Sequence, residues 1–271
     1  MTPQRPSGGS GPTHGGPPGR DSLPGHLPGH LPGLLPGLIA GAGALLFDFD
    51  GPVTPFFQHY RTAPIAQDIK DLLLERGVPL SPDVRASADS HGLLHLLRSD
   101  VFTAAKPGPE DQKTLELAEG IVTSHEYRAA RDAVPGEHIE ALVTALARLG
   151  KRLVIVSNNA EGPVRAYLER AGLETEFEAV FGRDPHELRH MKPHPHGVEA
   201  ALRHLGLTAA DCLLVGDQLT DLQAARAVGA PFLGHARNDA AARTMWREGA
   251  VWAGTSLLPL QQATEGLLNP N

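Results

Sequence analysis

Along residues 44–51 (Ala-Leu-Leu-Phe-Asp-Phe-Asp-Gly) an apolar run ends in two aspartates spaced two apart, and a glycine follows. So short and apolar a run predicts a strand buried on both faces, as in a parallel sheet. The kind of segment recurs further on. Ile139, Leu142, Val143, Leu146 and Leu149 recur at helical spacing and stop at Gly150, which predicts a helix. Residues 153–156 (Leu-Val-Ile-Val) predict a strand that runs into Ser157, Asn158 and Asn159. A helix follows from Val164, Tyr167 and Leu168 to Gly172, then a short strand at 179–181. Val198, Ala201, Leu202 and Leu205 predict the next helix, ended by Gly206. Residues 213–215 predict a strand that reaches Gly216 and Asp217; Leu222, Ala225 and Val228 predict a helix closed by Gly229, and 231–234 a last strand. Strands alternating with helices in this way imply right-handed βαβ units around a parallel sheet.

Between the first strand and residue 135 the period is helical throughout. Ile65, Ile69, Leu72 and Leu73 mark one helix, which stops at Gly77-Val78-Pro79. Residues 92–98 predict a short Leu-rich helix, and 109–131 a longer, more polar one. The expected architecture is therefore α/β: a Rossmann-like parallel-sheet core, residues 44–54 and 136–271, with an all-helical cap inserted at 55–135. An insert that leaves and re-enters beside the first strand's carboxyl end would hang over that end as a lid.

Residues 1–43 read differently. They are rich in Pro and Gly, with a Leu-Pro-Gly-His/Leu tetrad repeated over 23–38, and proline every fourth residue disrupts helices and ladders. The expectation is a disordered tail. The apolar run from Leu34 to Ala44 holds Pro36 and several glycines and leads straight into the strand, which argues against a signal peptide. No uninterrupted apolar stretch is long enough to span a membrane.

Composition narrows the function classes. A formal net charge of -7 argues against a nucleic-acid surface. A single cysteine, Cys212, excludes an internal disulfide framework and fits a reducing, cytoplasmic setting. Cys212 opens an apolar run and reads as a small buried hydrophobe. Trp246 and Trp252 are expected to pack against the core. His186, His190, His194 and His196 cluster in sequence, but Pro185, Pro193 and Pro195 break helical spacing, so they read as loop histidines. His59, Arg61, Lys106, His125 and Arg128 read as polar cap residues, expected at the surface.

In a parallel sheet the ends of the three polar-tipped strands share one edge, the edge where ligands bind. That edge gathers Asp48, Asp50, Ser157, Asn158, Asp217 and Asp221, and the loop Met191-Lys192-Pro193 adds an ammonium. Two unit charges ~4 Å apart repel by about 4 kcal/mol at an effective dielectric of 20. A divalent cation relieves that repulsion, and hard carboxylate oxygens favour Mg²⁺ over zinc. Such a site suits a phosphoryl group.

Asp48-Phe49-Asp50-Gly51, Ser157-Asn158, Lys192-Pro193 and Gly216-Asp217-Gln218-Leu219-Thr220-Asp221, in that order, resemble the four motifs of the haloacid dehalogenase superfamily of hydrolases. The insert between the first and second motifs resembles the type 1 cap of its phosphoglycolate-phosphatase-like and beta-phosphoglucomutase-like members. The resemblance implies Asp48 as nucleophile, forming an aspartyl phosphate. It implies Asp50 as general acid and base. It implies Ser157, Asn158 and Lys192 as phosphoryl ligands, with Lys192 also offsetting charge at the nucleophile. Mg²⁺ would bind Asp48, the Asp50 carbonyl and Asp217, with Asp221 behind them, either reaching the ion through water or orienting Lys192. An acid at position 50 separates phosphoryl transfer from dehalogenation, whose enzymes carry a non-acidic residue there. Pro52 departs from the Thr or Val usual in the motif.

The expected function is a Mg²⁺-dependent phosphatase acting on a small phosphorylated metabolite, as a monomer or homodimer without nucleic-acid or membrane partners. The alternatives are a phosphomutase of the beta-phosphoglucomutase type and a non-catalytic scaffold.

Overall fold

The computed structural model of the chain describes residues 33–58 and 60–269. Among these, six strands form one parallel sheet: β1 (Ala44–Phe47), β2 (Arg152–Val156), β3 (Ala179–Phe181), β4 (Cys212–Gly216), β5 (Phe232–His235) and β6 (Trp252–Gly254), in the order β3-β2-β1-β4-β5-β6. β1 sits centrally, with Phe47 level with Ile155 on one side and Val215 on the other. The order reverses between β1 and β4, so the crevice at their carboxyl ends is the topological switch point.

The sheet is buried on both faces because its strands alternate. Leu45 and Phe47 point into one apolar cluster, with α6 (Ile139–Arg148) and α7 (Glu161–Ala171); Ala44 and Leu46 point into the other, with α8 (His196–Leu205), α9 (Leu219–Val228) and α10 (Asp239–Arg247). The first cluster also takes residues from α1 (Leu34–Gly41) and α11 (Leu258–Leu268), which pack on each other.

Helix α1 corrects the expectation of a disordered tail up to residue 43; residues 1–32 lie outside the described part. Pro36 falls in the first turn of α1, where no intrahelical partner is needed from its nitrogen. Leu35 and Ile39 are buried, and Lys151 Nζ donates to the carbonyls of Ala40 and Ala42 at 3.0 and 2.6 Å, capping the helix. The repeat thus becomes helical where tertiary packing and an external cap support it. Elements β6, α10 and α11 lie beyond the last strand read from the sequence. Trp252 is buried and Trp246 half-buried, and Cys212 is buried as expected.

The insert holds α2 (Thr62–Glu75), α3 (Pro82–Ala86), α4 (Ser90–Leu96), a π-helical turn at Leu97–Val101 and α5 (Pro109–Asp132). Its entry and exit are stitched together: Gly136 N donates to Val53 O at 2.9 Å, and Thr54 Oγ1 to Val134 O at 2.7 Å. Its apolar centre, with Ile65, Ile69, Leu93, Leu97 and Val122, also takes in Leu188 and Met191. The loop that carries Lys192 is therefore shared between the two layers.

Candidate active site

Asp48 continues β1 by one residue, its N–H donating to Val215 O at 2.8 Å, and its side chain stands at the switch point. Lys192 Nζ lies 2.7 Å from Asp48 Oδ1 and 2.5 Å from Asp221 Oδ1, and donates to Val156 O at 3.0 Å. Asp221 is fixed in turn, since its Oδ2 accepts the N–H of Gln218 at 2.9 Å and caps α9. Asp221 thus both caps the first turn of α9 and contacts the lysine, the latter being one of the two roles the resemblance implies for it.

The loop after β1 folds onto Asp217. Gly51 has φ 121°, and a Cβ there would lie 2.5 Å from Asp217 Cγ, so only glycine fits. Asp217 Oδ1 is buried without a hydrogen-bond partner. Carboxylate oxygens of Asp48, Asp217 and Asp221 lie within 4.8 Å of one another. Three carboxylates face one ammonium, so the cluster is short of positive charge. Burial, together with Asp48 and Asp221, pushes the Asp217 carboxyl up to about 9. Burial also raises Asp48, to about 7, against the opposing pull of Lys192. Burial opposes the charge on Lys192, but Asp221 and Asp48 outweigh it and hold the ammonium above its ordinary value. An orphaned buried carboxylate oxygen within an all-oxygen donor set fits a hard divalent cation such as Mg²⁺.

Asp50 Oδ1 accepts the N–H of Phe56 at 2.9 Å, and burial raises its carboxyl despite that bond and the neighbouring His91. Asp48, Asp50, Asn158, Lys192 and Asp221 line one cavity of about 180 Å³, to which the insert contributes Thr62, Asp89 and His91. Asn158 also clasps the Lys192 backbone: its Oδ1 accepts from Lys192 N at 2.7 Å and its Nδ2 donates to Lys192 O at 3.1 Å. Asp217 and Ser157 are not among that lining: Asp217 lines a second cavity, with Gln218, Leu219 and Thr220, and Ser157 is held by its own loop. The Ser157 hydroxyl donates to Asn159 Oδ1 at 3.0 Å and accepts from Asn159 N at 3.1 Å.

Several participants escaped the sequence reading. Asn159 and His91 line the cavity, and both meet Glu126 of α5, at 3.2 and 3.0 Å. Glu126 also accepts from Ala160 N at 3.0 Å and pairs with Arg183, which follows β3. The sequence does not single Glu126 out, since it is one of six acids on a polar helix, between His125 and Arg128. His125 bonds Tyr60 and Asp68 instead, at 2.6 and 3.2 Å, while Arg61, Lys106 and Arg128 are exposed as expected and His59 lies outside the described residues.

A family model described as haloacid dehalogenase-like hydrolase matches residues 43–229. A phosphoglycolate phosphatase from Rhodospirillum rubrum is 44% identical over 91 residues, which are 34% of this chain and 37% of that protein. The chain thus spans little more than a third of that relative's length in the match. A phosphoglycolate phosphatase from Cupriavidus necator, plasmid-borne, is 29% identical over 69% of this chain and 78% of its own. Among solved structures, a predicted phosphatase from Clostridium acetobutylicum superposes with a TM-score of 0.56 over 82% of this chain and 97% of that one, at 18% identity, a likeness of fold.

Proposed function

Given that the chain belongs to the haloacid dehalogenase-like hydrolases, we propose that it is a Mg²⁺-dependent phosphatase that hydrolyses a small phosphomonoester through an aspartyl phosphate. The observation that carries the proposal is Lys192 held between Asp48 and Asp221 beside the unpartnered oxygen of Asp217.

One carboxylate oxygen of Asp48 attacks phosphorus as the P–O bond to the leaving group breaks. Asp50, its carboxyl raised by burial, gives its proton to the departing oxygen. It then takes a proton from the water that attacks the aspartyl phosphate, which releases inorganic phosphate and restores Asp48. Lys192 offsets negative charge at the nucleophile and on the phosphoryl oxygens. Asn158 contributes by clasping the Lys192 backbone; with the Ser157 hydroxyl engaged by Asn159, the part left for Ser157 is to shape the loop. The carboxylates of Asp48 and Asp217 and the Asp50 carbonyl would hold Mg²⁺, which supplies positive charge to the transferring phosphoryl group.

The cavity of about 180 Å³ accommodates a phosphoryl group with a small organic remainder. Phosphoglycolate, the substrate in the names of the sequence relatives, is therefore the first candidate. No helix among the described residues is long and apolar enough to cross a membrane, and the single cysteine supports a reducing, cytoplasmic setting.

The test is phosphate release across a panel of small phosphomonoesters, with Mg²⁺ and with chelator, and Asp48→Asn as the blank. Metal-dependent release that the blank lacks supports the proposal. Phosphoryl return to a second position of the substrate without free phosphate would favour the mutase, and no turnover on any ester would favour a scaffold.

A further inference from the structure

The stretch from the loop after β3 to the first residue of α8 carries a second cluster of donors, lining a cavity with Lys192 but not with Asp48. Asp184, His190 and His196 each place a ligand atom within 4.8 Å of the other two. Asp184 is held in position: its Oδ1 accepts from His186 N at 2.9 Å, and its Oδ2 faces His190 Nδ1 at 2.9 Å. The rings of His190 and His196 stack with centroids 3.8 Å apart, and the His194 ring stands 5.5 Å from that of His190. The three donor residues line a separate small cavity of about 20 Å³, together with Ser157, Asn158, Arg183 and Lys192. That volume is the size of one water or one ion.

Helical i, i+4 spacing is one way to bring histidines onto one ion. Here a loop turned by Pro185, Pro193 and Pro195 does so instead, folding residues twelve apart in sequence onto each other. The donor chemistry is two imidazoles and one carboxylate, which suits a borderline divalent ion of the zinc type and not Mg²⁺.

We propose that Asp184, His190 and His196 form a zinc-type divalent metal site, distinct from the Mg²⁺ site of Asp48 and Asp217. Tetrahedral binding at bond lengths of about 2.0–2.1 Å needs donors about 3.3 Å apart. The half-exposed rings reach that by side-chain rotation, with water in the fourth position. The site does not depend on the phosphatase proposal, and an ion there would brace the loop that presents Lys192.

The experiment is calorimetric titration of the chelator-stripped full chain with Zn²⁺ in excess Mg²⁺, alongside thermal unfolding. Four variants accompany it: His196→Gln, Asp184→Asn, a triple His14→Gln/His26→Gln/His30→Gln, and Asp217→Asn. The expected result is one Zn²⁺ per chain and a raised Tm. Affinity should fall at least ~100-fold in His196→Gln and about tenfold in Asp184→Asn, and stay unchanged in the triple variant and in Asp217→Asn. Circular dichroism and a metal-free Tm of His196→Gln at the level of the chelated parent establish that this variant is folded. Absence of binding, loss of binding in the triple variant or in Asp217→Asn, or an unchanged isotherm in His196→Gln would each overturn the site.

Discussion

Arg183 Nη1 donates to Glu126 Oε1 at 2.8 Å, with both side chains fully buried, across the boundary between core and insert. Arg183 extends the same fork to Glu119 at 2.8 Å and to the carbonyl of Asn158 at 2.7 Å. Glu126 accepts in addition from His91, Asn159 and Ala160. One buried carboxylate thus ties helix α5 of the insert to the loop after β2 that clasps Lys192. Removing one partner of a buried ion pair costs about 3–5 kcal/mol, because the other charge is left unpaired. For Glu126→Ala the expected loss is at the low end, about 3 kcal/mol, since Glu119 still faces Arg183. Urea unfolding measures it, and phosphate release should fall with it.

The same carboxylate sets an acid limit. Burial works to raise Glu126, but Arg183 and His91 outweigh it and bring the group from 4.5 to about 2. Its folded value lies below its unfolded one, so the stabilisation is fully present above about pH 4.5 and is lost as pH falls toward 2. The parent should lose stability on acidification through that window more steeply than Glu126→Gln. Denaturant midpoints at pH 6, 4 and 3 check this; parallel curves for the two proteins would refute it.

Gly51→Ala tests the contact between the loop after β1 and Asp217. The substitution demands a positive φ from alanine and sets a methyl 2.5 Å from Asp217 Cγ. Asp217 must move, and with it the proposed cation site. The expected outcome is a loss of turnover of about 100-fold or more, as misplacement by about 1 Å commonly gives, with far-UV circular dichroism unchanged. Ala substituted at Gly77, which also has positive φ but open space around it, should leave turnover near the parent value.

What the sequence made legible follows from where side-chain chemistry is local. An apolar run that stops at Asp48 or Asp217 announces both a buried strand and a polar tip, and the sheet's parallel order then brings the tips together. Lys192 was readable only through its order among the motifs, since a loop lysine carries no periodicity. Helix α1 was hidden because its stability comes from α11 and from Lys151, neither of which is nearby in sequence. Glu126 and Arg183 were hidden for a related reason: a charge on a polar helix gives no hint that its partner lies 57 residues away. Ser157 sits at a legible strand end, yet its rotamer is decided by Asn159, which pattern alone does not reveal.

Mg²⁺ should stabilise the folded chain through Asp217. Its Oδ1 is buried without a partner, and the carboxylates around it outnumber the single ammonium. An ion bound only by the folded state adds about 2.7 kcal/mol at a concentration 100 times its dissociation constant. For a chain of this size that corresponds to a rise in Tm of roughly 5–10 °C. Calorimetry with Mg²⁺ and with chelator measures the difference. Asp217→Asn should abolish most of the shift, because it removes a negative charge from the ion's donors. Without metal, the Asp217 carboxyl is raised by burial and its neighbours from 3.8 to about 9, which costs folding free energy at neutral pH. Asparagine removes that cost, so the chelated Tm of Asp217→Asn should equal or exceed that of the chelated parent. A full Mg²⁺ shift in Asp217→Asn would mean that the ion binds elsewhere and that the orphaned oxygen has another purpose.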